Sequence, residues 1–267
     1  MAGLYEKQSE TYAKKRPRYP KEWFYRLAGL TAGHHRAWDA GCGSGQAAVS
    51  MAEHYDSVVA TDVSEGQLRH AIAHPRVRYF HTPEHLSEDD LVALVGGEGS
   101  LDFVVVATSI HWFDIPLFYA VANRALKKPG GVLAVWGYNY DVHPFGDALQ
   151  GQLYGSLRPY MDPRARLAME RYRELPFPFE PVGVGAEGAP ADVDMEVEMT
   201  LEDLAGFVMT GSVVTTAREK GADLEAVVRD VMKRVEKEWG DAPTVPRKLV
   251  FKAFMLAGKP KCEPILN

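Results

Sequence analysis

The stretch Asp39-Ala40-Gly41-Cys42-Gly43-Ser44-Gly45-Gln46 constrains this chain more than any other. Glycine at every second position lets the backbone turn tightly and lets a ligand approach where a Cβ would collide. The residues before it read as a strand end, and those after Gly45 as a helix start. About twenty residues further on, the spacing at which such units place their next acid, Val58-Val59-Ala60-Thr61-Asp62 reads as a second strand ending in an acid. Strand, glycine turn, helix and acid-terminated strand make the nucleoside-binding half of a doubly wound α/β sheet.

Charge and spacing select the nucleoside. A pyrophosphate dinucleotide calls for G-x-G-x-x-G and positive potential at the helix start. Here the third glycine comes one residue early, Gln46 stands at the later position, and Asp39 would repel phosphates. S-adenosylmethionine has no phosphate and carries a sulfonium, an ammonium and a carboxylate. Asp39 suits its cationic end, and Asp62 suits both ribose hydroxyls, because a carboxylate accepts two hydrogen bonds.

The segment resembles motif I of class I S-adenosylmethionine-dependent methyltransferases, D-x-G-x-G-x-G, followed by their acidic motif II. The resemblance implies a Rossmann-like, seven-stranded α/β methyltransferase sheet. It also implies S-adenosyl-L-methionine as cofactor, with Asp39, Gly41, Cys42, Gly43, Gln46, Asp62 and Val63 around it. Ser64-Glu65-Gly66-Gln67 fits a capping box that starts the next helix, to about His74, and fixes Asp62 at a strand's carboxyl end. After strand three (77–82) the family brackets the adenine. Here Thr82 stands for the usual Asp and Pro83 for the usual small residue, and Glu84 offers its backbone amide.

Strand four, Leu101 to Ala107, is apolar throughout, as expected of a strand buried on both faces. Thr108-Ser109-Ile110-His111-Trp112-Phe113-Asp114 then resembles the family's motif IV, where donor meets acceptor. The resemblance implies Thr108, Ser109, His111 and Trp112 at the pocket, with His111 the general base if the acceptor is a hydroxyl. The plainer reading is packing by His111-Trp112 and an N-cap by Asp114 ahead of Pro116. Lys127-Lys128-Pro129-Gly130-Gly131 ends the helix before strand five (132–138).

Ahead of the core, Tyr12-Ala13-Lys14-Lys15-Arg16-Pro17-Arg18-Tyr19-Pro20 is similar to the N-terminal arm of a subgroup that includes trans-aconitate-type carboxyl methyltransferases. The resemblance implies Tyr12 and Arg16 near the methionine carboxylate; the alternative is a surface helix on the sheet edge. Residues 144–175 read as two helices rich in Tyr and Arg, and residues 176–190 as a Pro/Gly-rich loop. A strand at about 193–199, a helix capped by Thr200, a break at Thr210-Gly211-Ser212, a long amphipathic helix and a last strand at 248–256 follow. The final two strands would form an antiparallel edge pair, with the inserted helices capping an acceptor pocket.

The 267 residues are expected to form a single methyltransferase domain: arm 1–34, cofactor core 35–140, cap 141–240 and final strand 241–267. A net charge of −6 excludes a general attraction to nucleic acid or anionic membrane. Two cysteines give no disulfide framework and no metal cluster, and no apolar run is long enough to span a bilayer, so the expected location is cytoplasmic. The expected activity is methyl transfer to oxygen of a small molecule, a carboxylate or a hydroxyl. Arg158, Arg164 and Arg166 in the cap favour a carboxylate unless they merely solvate the surface. A nicotinamide oxidoreductase and a non-catalytic cofactor-binding protein are the other readings.

Overall fold

The computed structural model describes residues 15–83 and 86–261, so Tyr12 and Glu84 lie outside the described residues. Five strands run parallel: β1 (Arg36–Ala40), β2 (Ser57–Asp62), β3 (Val77–His81), β4 (Phe103–Ala107) and β5 (Val132–Gly137). The two-residue strands β6 (Val142–His143) and β7 (Glu180–Pro181) and the long β8 (Ala191–Met199) and β9 (Arg247–Lys259) complete the sheet. Strand order is β3-β2-β1-β4-β5-β9-β6, with β7 and β8 also pairing to β9, which runs antiparallel to β5 and to β8. The expected seven-stranded α/β sheet with an antiparallel edge pair is therefore present, lengthened by two short strands.

Connectivity fixes where a ligand goes. The chain winds outward from β1 to β2 and β3, then returns to lay β4 on the other side of β1. That reversal opens a crevice between the carboxyl ends of β1 and β4, where open α/β sheets bind ligands.

Apolar alternation packs both faces. Phe103 and Val105 of β4 join one core, and Val104 and Val106 join the other. The first core takes Trp23, Phe24 and Leu27 of α1 (Lys21–Ala28) and Ala47, Ala48 and Met51 of α2 (Gln46–Met51). The second takes Val92 and Val95 of α4 (Glu88–Val95) and Phe118 and Val121 of α5 (Ile115–Ala125); α3 (Glu65–Arg69) lies between α2 and α4 in the chain. Trp136 of β5 is fully buried, and the rings of Tyr19, Trp23 and Phe24 meet it edge-on with centroids 5.3, 6.0 and 5.7 Å away. Burial of a large side chain stabilises by roughly 1.5–3 kcal/mol, so this cluster fixes both α1 and residues 17–20 onto the carboxyl half of β5.

Two expectations are corrected. The helix after Ser64 ends at Arg69, not His74, because the Ile72 amide turns back to donate to the Ser44 carbonyl at 3.0 Å. Residues 144–175 are not two helices. Gly151, Gly155, Pro159 and Pro163 break them into a π-helical turn (Asp147–Leu153), a single α-turn (Tyr154–Leu157), two 3₁₀ turns and a last short helix (Arg166–Met169). Beyond β8 come α6 (Leu201–Met209), α7 (Ser212–Glu219) and α8 (Leu224–Trp239), with Thr200 and Asp203 forming a reciprocal capping box on α6.

Candidate functional site

A cavity of about 560 Å³ opens at the β1/β4 crevice. Its floor is the glycine turn. Gly41, Gly43 and Gly45 have φ of 68°, 54° and 84°, left-handed conformations that favour glycine. A Cβ on Gly41 would lie 2.6 Å from Ser109 Oγ, so this glycine also permits close packing against the segment after β4.

The turn is stitched to the end of β2. The amides of Gly41 and Cys42 both donate to the Thr61 carbonyl, at 2.8 and 3.0 Å. Gly43 N–H donates to Asp62 Oδ2 at 2.7 Å, and Ser64 N–H donates to Oδ1 at 2.8 Å. Each carboxylate oxygen thus holds one backbone amide and keeps acceptor capacity toward the cavity that Asp62 lines. Burial raises the Asp62 pKa, against the opposing pull of the Ser64 and Gly43 amides. Gln67 also lines the cavity, and its buried Oε1 has no hydrogen-bond partner among the described residues.

These features suit a neutral sugar and base better than a phosphate. A half-buried carboxylate and an orphaned amide oxygen are acceptors for hydroxyl or amino donors. Among the described residues, Arg16 and Arg164 are the cavity-lining cations, and neither belongs to the turn. S-adenosylmethionine fits this donor and acceptor set.

The structure brings most of the expected residues together. Arg16, Gly41, Cys42, Gly43, Gln46, Asp62, Val63, Thr82, Pro83, Thr108, Ser109 and Trp112 all line the one cavity. Cys42 is buried, and that burial, together with Asp39 and Asp62 nearby, pushes its thiol well above the usual range.

Asp39 does not line it. Trp38 and Ala40 face the α4/α5 side and the cavity, and strand alternation turns Asp39 toward the opposite face with Ala37. It is fully buried, and neither carboxyl oxygen has a hydrogen bond of ordinary geometry. Burial raises its pKa to about 8, with a partly opposing Ala48 amide and added repulsion from Asp62. It supports the turn from behind.

His111 does not line it either. The chain after β4 forms a 3₁₀ turn (Ile110–Trp112) that carries Trp112 to the cavity and His111 into the protein. His111 Nδ1 shares a hydrogen bond of 3.2 Å with the Tyr172 hydroxyl, and burial drives its pKa down to about 3. The ring is held neutral and faces away from the cavity lining. Asp114 caps α5, accepting from Leu117 N–H at 3.2 Å, as expected.

Among the lining side chains beyond the expected cofactor-binding set are Tyr19, Tyr138 and Arg164, the last known from the sequence only as one of three cap arginines. Tyr19 brings its hydroxyl 3.2 Å from Thr108 Oγ1, and Thr108 has a φ of 59°, rare for a β-branched residue. Tyr138, just past β5, lies 3.5 Å from Arg16 Nη1, while Arg16 Nη2 donates to the Thr210 carbonyl at 2.8 Å. Arg164, from the second 3₁₀ turn of the cap (Pro163–Ala165), stacks over Trp112 with its guanidinium carbon 5.4 Å from the ring centroid. Its neighbours in the cap behave differently: Arg158 is exposed, and Arg166 pairs with Glu170 and Glu174. The position of Tyr138 at a strand's carboxyl end and of Tyr19 in the arm pattern were the available signals; nothing local separates Arg164 from Arg158 and Arg166.

Comparison with known proteins follows the same lines. The family profile described as a methyltransferase domain matches residues 37–131, the segment from β1 to the turn before β5. A solved structure from Anaeromyxobacter dehalogenans, assigned as a type II methyltransferase, is 30% identical, superposes with a TM-score of 0.74, and is matched over 93% of this chain and 99% of its own. A protein assigned as a methyltransferase in Dictyostelium discoideum is 33% identical over 132 residues, 49% of this chain and 47% of the relative. The ubiquinone biosynthesis O-methyltransferase of Dinoroseobacter shibae is 32% identical over 124 residues, 45% of this chain and 47% of the relative. The aligned region thus spans about half the length of these curated relatives. With a glycine turn held by Asp62, the switch-point cavity, and a relative matched along nearly its whole length, this chain belongs to the class I S-adenosylmethionine-dependent methyltransferase family.

Proposed function

We infer that the protein transfers a methyl group from S-adenosylmethionine to an oxygen of a small molecule, and that the oxygen is a carboxylate's in preference to a hydroxyl's. The observation that carries this reading is the single cavity shared by the Asp62-tethered turn on one side and Thr108, Trp112 and Arg164 on the other. Donor and acceptor would meet between them.

S-adenosylmethionine, when bound, supplies a methyl group on positively charged sulfur; the C–S bond breaks as the C–O bond forms, and the electron pair stays on sulfur as a neutral thioether. The chain's own part is holding and aligning. Asp62 and Gln67 would take the ribose and base side, and Arg16 the carboxylate end. Thr82 and Pro83 would line the base, and the Tyr19–Thr108 hydroxyl pair would face the reacting centre. Trp112 and Phe113 present apolar surface that excludes water.

The acid–base inventory favours the carboxylate. Among the described residues, no histidine lines the cavity, and its acids are Asp62, tied to two amides, and Asp114, tied to the α5 amide. A hydroxyl acceptor needs a base to take its proton, whereas a carboxylate arrives ionised. The relative named for O-methylation supports oxygen as the acceptor atom. The net charge of −6 supports small molecules over nucleic acid.

Turnover of methyl-labelled donor over a panel of carboxylic acids, phenols and amines tests the reading. Label in the product that mild base releases as volatile methanol marks a methyl ester. Label that survives base marks an ether or amine and would overturn the carboxylate assignment, and no transfer to any acceptor would overturn methyl transfer itself.

A further inference from the structure

We propose that the acceptor is a carboxylic acid whose carboxylate is taken by Arg164, so that this cap residue sets substrate choice; the proposal rests on the methyl-transfer reading above. Arg164 differs from the other cap arginines in being built into the cavity wall. Its guanidinium carbon lies over the ring of Trp112, itself a lining residue, 5.4 Å from the centroid. Asp162 grips it side-on, accepting from the Arg164 backbone N–H at 2.9 Å, from Nε at 3.1 Å and from Nη2 at 2.9 Å. Asp162 thus takes the Nε and Nη2 edge of the guanidinium and orients its plane beside the cavity it lines. A planar fork held at fixed azimuth recognises a carboxylate bidentately, and a lysine in its place would not.

The turn beneath it is also fixed. The 3₁₀ turn bearing Arg164 packs against the 3₁₀ turn bearing His111 and Trp112, and the buried His111–Tyr172 hydrogen bond locks that corner.

Charge points the same way. Asp162 pairs with Arg164 at 2.9 Å and also faces Lys220. The two lining acids are engaged with backbone amides. A donor with a sulfonium adds positive potential from the opposite side, so an anion entering between the two is attracted from both.

The test uses the full chain loaded with S-adenosylhomocysteine. Benzoate, cinnamate and fumarate are each titrated calorimetrically against their own carboxamides, which keep the shape and lose the charge. At least one acid should bind tenfold or more tightly than its amide. Arg164→Gln should erase that preference, Arg164→Lys should restore only part of it, and S-adenosylhomocysteine affinity and the unfolding midpoint should stay at wild-type values in both variants. No acid preferred over its amide, or a preference that persists in Arg164→Gln, overturns the proposal and leaves cofactor binding standing. Failure of the wild type to bind S-adenosylhomocysteine overturns the methyl-transfer reading, and this proposal falls with it by a separate observation.

Discussion

Replacing His111 with asparagine tests whether this residue is a buried neutral group or a working base. Asparagine keeps a polar atom near the position of Nδ1, 3.2 Å from the Tyr172 hydroxyl, and cannot titrate. In the wild type, burial lowers the pKa from 6.5 to about 3. Below pH 6.5 the unfolded chain takes up a proton that the folded protein refuses, so stability falls as pH falls toward 3. At pH 8 this linkage contributes nothing; at pH 5 it costs the wild type about 2 kcal/mol, from the 1.36 kcal/mol carried by each pH unit. The variant should be less stable than wild type at pH 8 through lost packing, and that gap should close by about 2 kcal/mol at pH 5. Asp39, whose raised pKa makes it titrate in the opposite sense, is present in both proteins and drops out of the difference. Urea unfolding followed by tryptophan fluorescence at pH 5, 6, 7 and 8 reads the gap. A gap constant to within about 0.5 kcal/mol across that range would refute the buried, neutral assignment. So would a methyl-transfer rate that collapses in the variant while cofactor affinity holds, since that is the behaviour of a general base.

Other substitutions probe separate parts of the site. Asp39→Asn should change S-adenosylhomocysteine affinity by less than about threefold, and between about pH 4 and pH 8 it should gain about 1.4 kcal/mol per pH unit on wild type in denaturant unfolding, levelling off above pH 8. The sign follows because in that window the unfolded chain has released a proton that the folded Asp39 carboxyl, with its pKa raised to about 8, still holds. Gly41→Ala places a Cβ at a φ of 68° and 2.6 Å from Ser109 Oγ, so it should lower stability by about 1–3 kcal/mol and shift the thermal midpoint down. Tyr19→Phe removes the hydroxyl beside Thr108 and should lower kcat about tenfold with cofactor affinity within about threefold, measured by single-turnover kinetics and calorimetry.

Short-range chemistry was legible in the sequence, and three-dimensional direction was not. The glycine spacing, Asp62 at a strand end and the Ser64, Asp114 and Thr200 caps are local rules, and the structure shows each in place. Asp39 was assigned to the ligand because it precedes the turn, yet the apolar Trp38 beside it already implied that alternate residues of β1 face opposite ways. His111 was misdirected because a 3₁₀ turn rotates successive side chains by about 120°, and only the position of Tyr172, 61 residues on, shows which way the ring goes. The cap was read as two helices rich in Tyr and Arg, but Gly151, Gly155, Pro159 and Pro163 interrupt that run. Arg164 reached the site through a contact with Trp112 across the fold, which no pattern in the chain encodes.

The central claim is that the glycine turn and Asp62 hold the methyl donor's nucleoside, and calorimetric titration of S-adenosylhomocysteine into the wild type and Asp62→Ala tests it most directly. Saturable binding to the wild type, weakened in the variant by about 1.5–3 kcal/mol as expected for lost hydrogen bonds to a charged group, is the predicted result. Equal affinity in the two proteins, or no binding to the wild type, would contradict it.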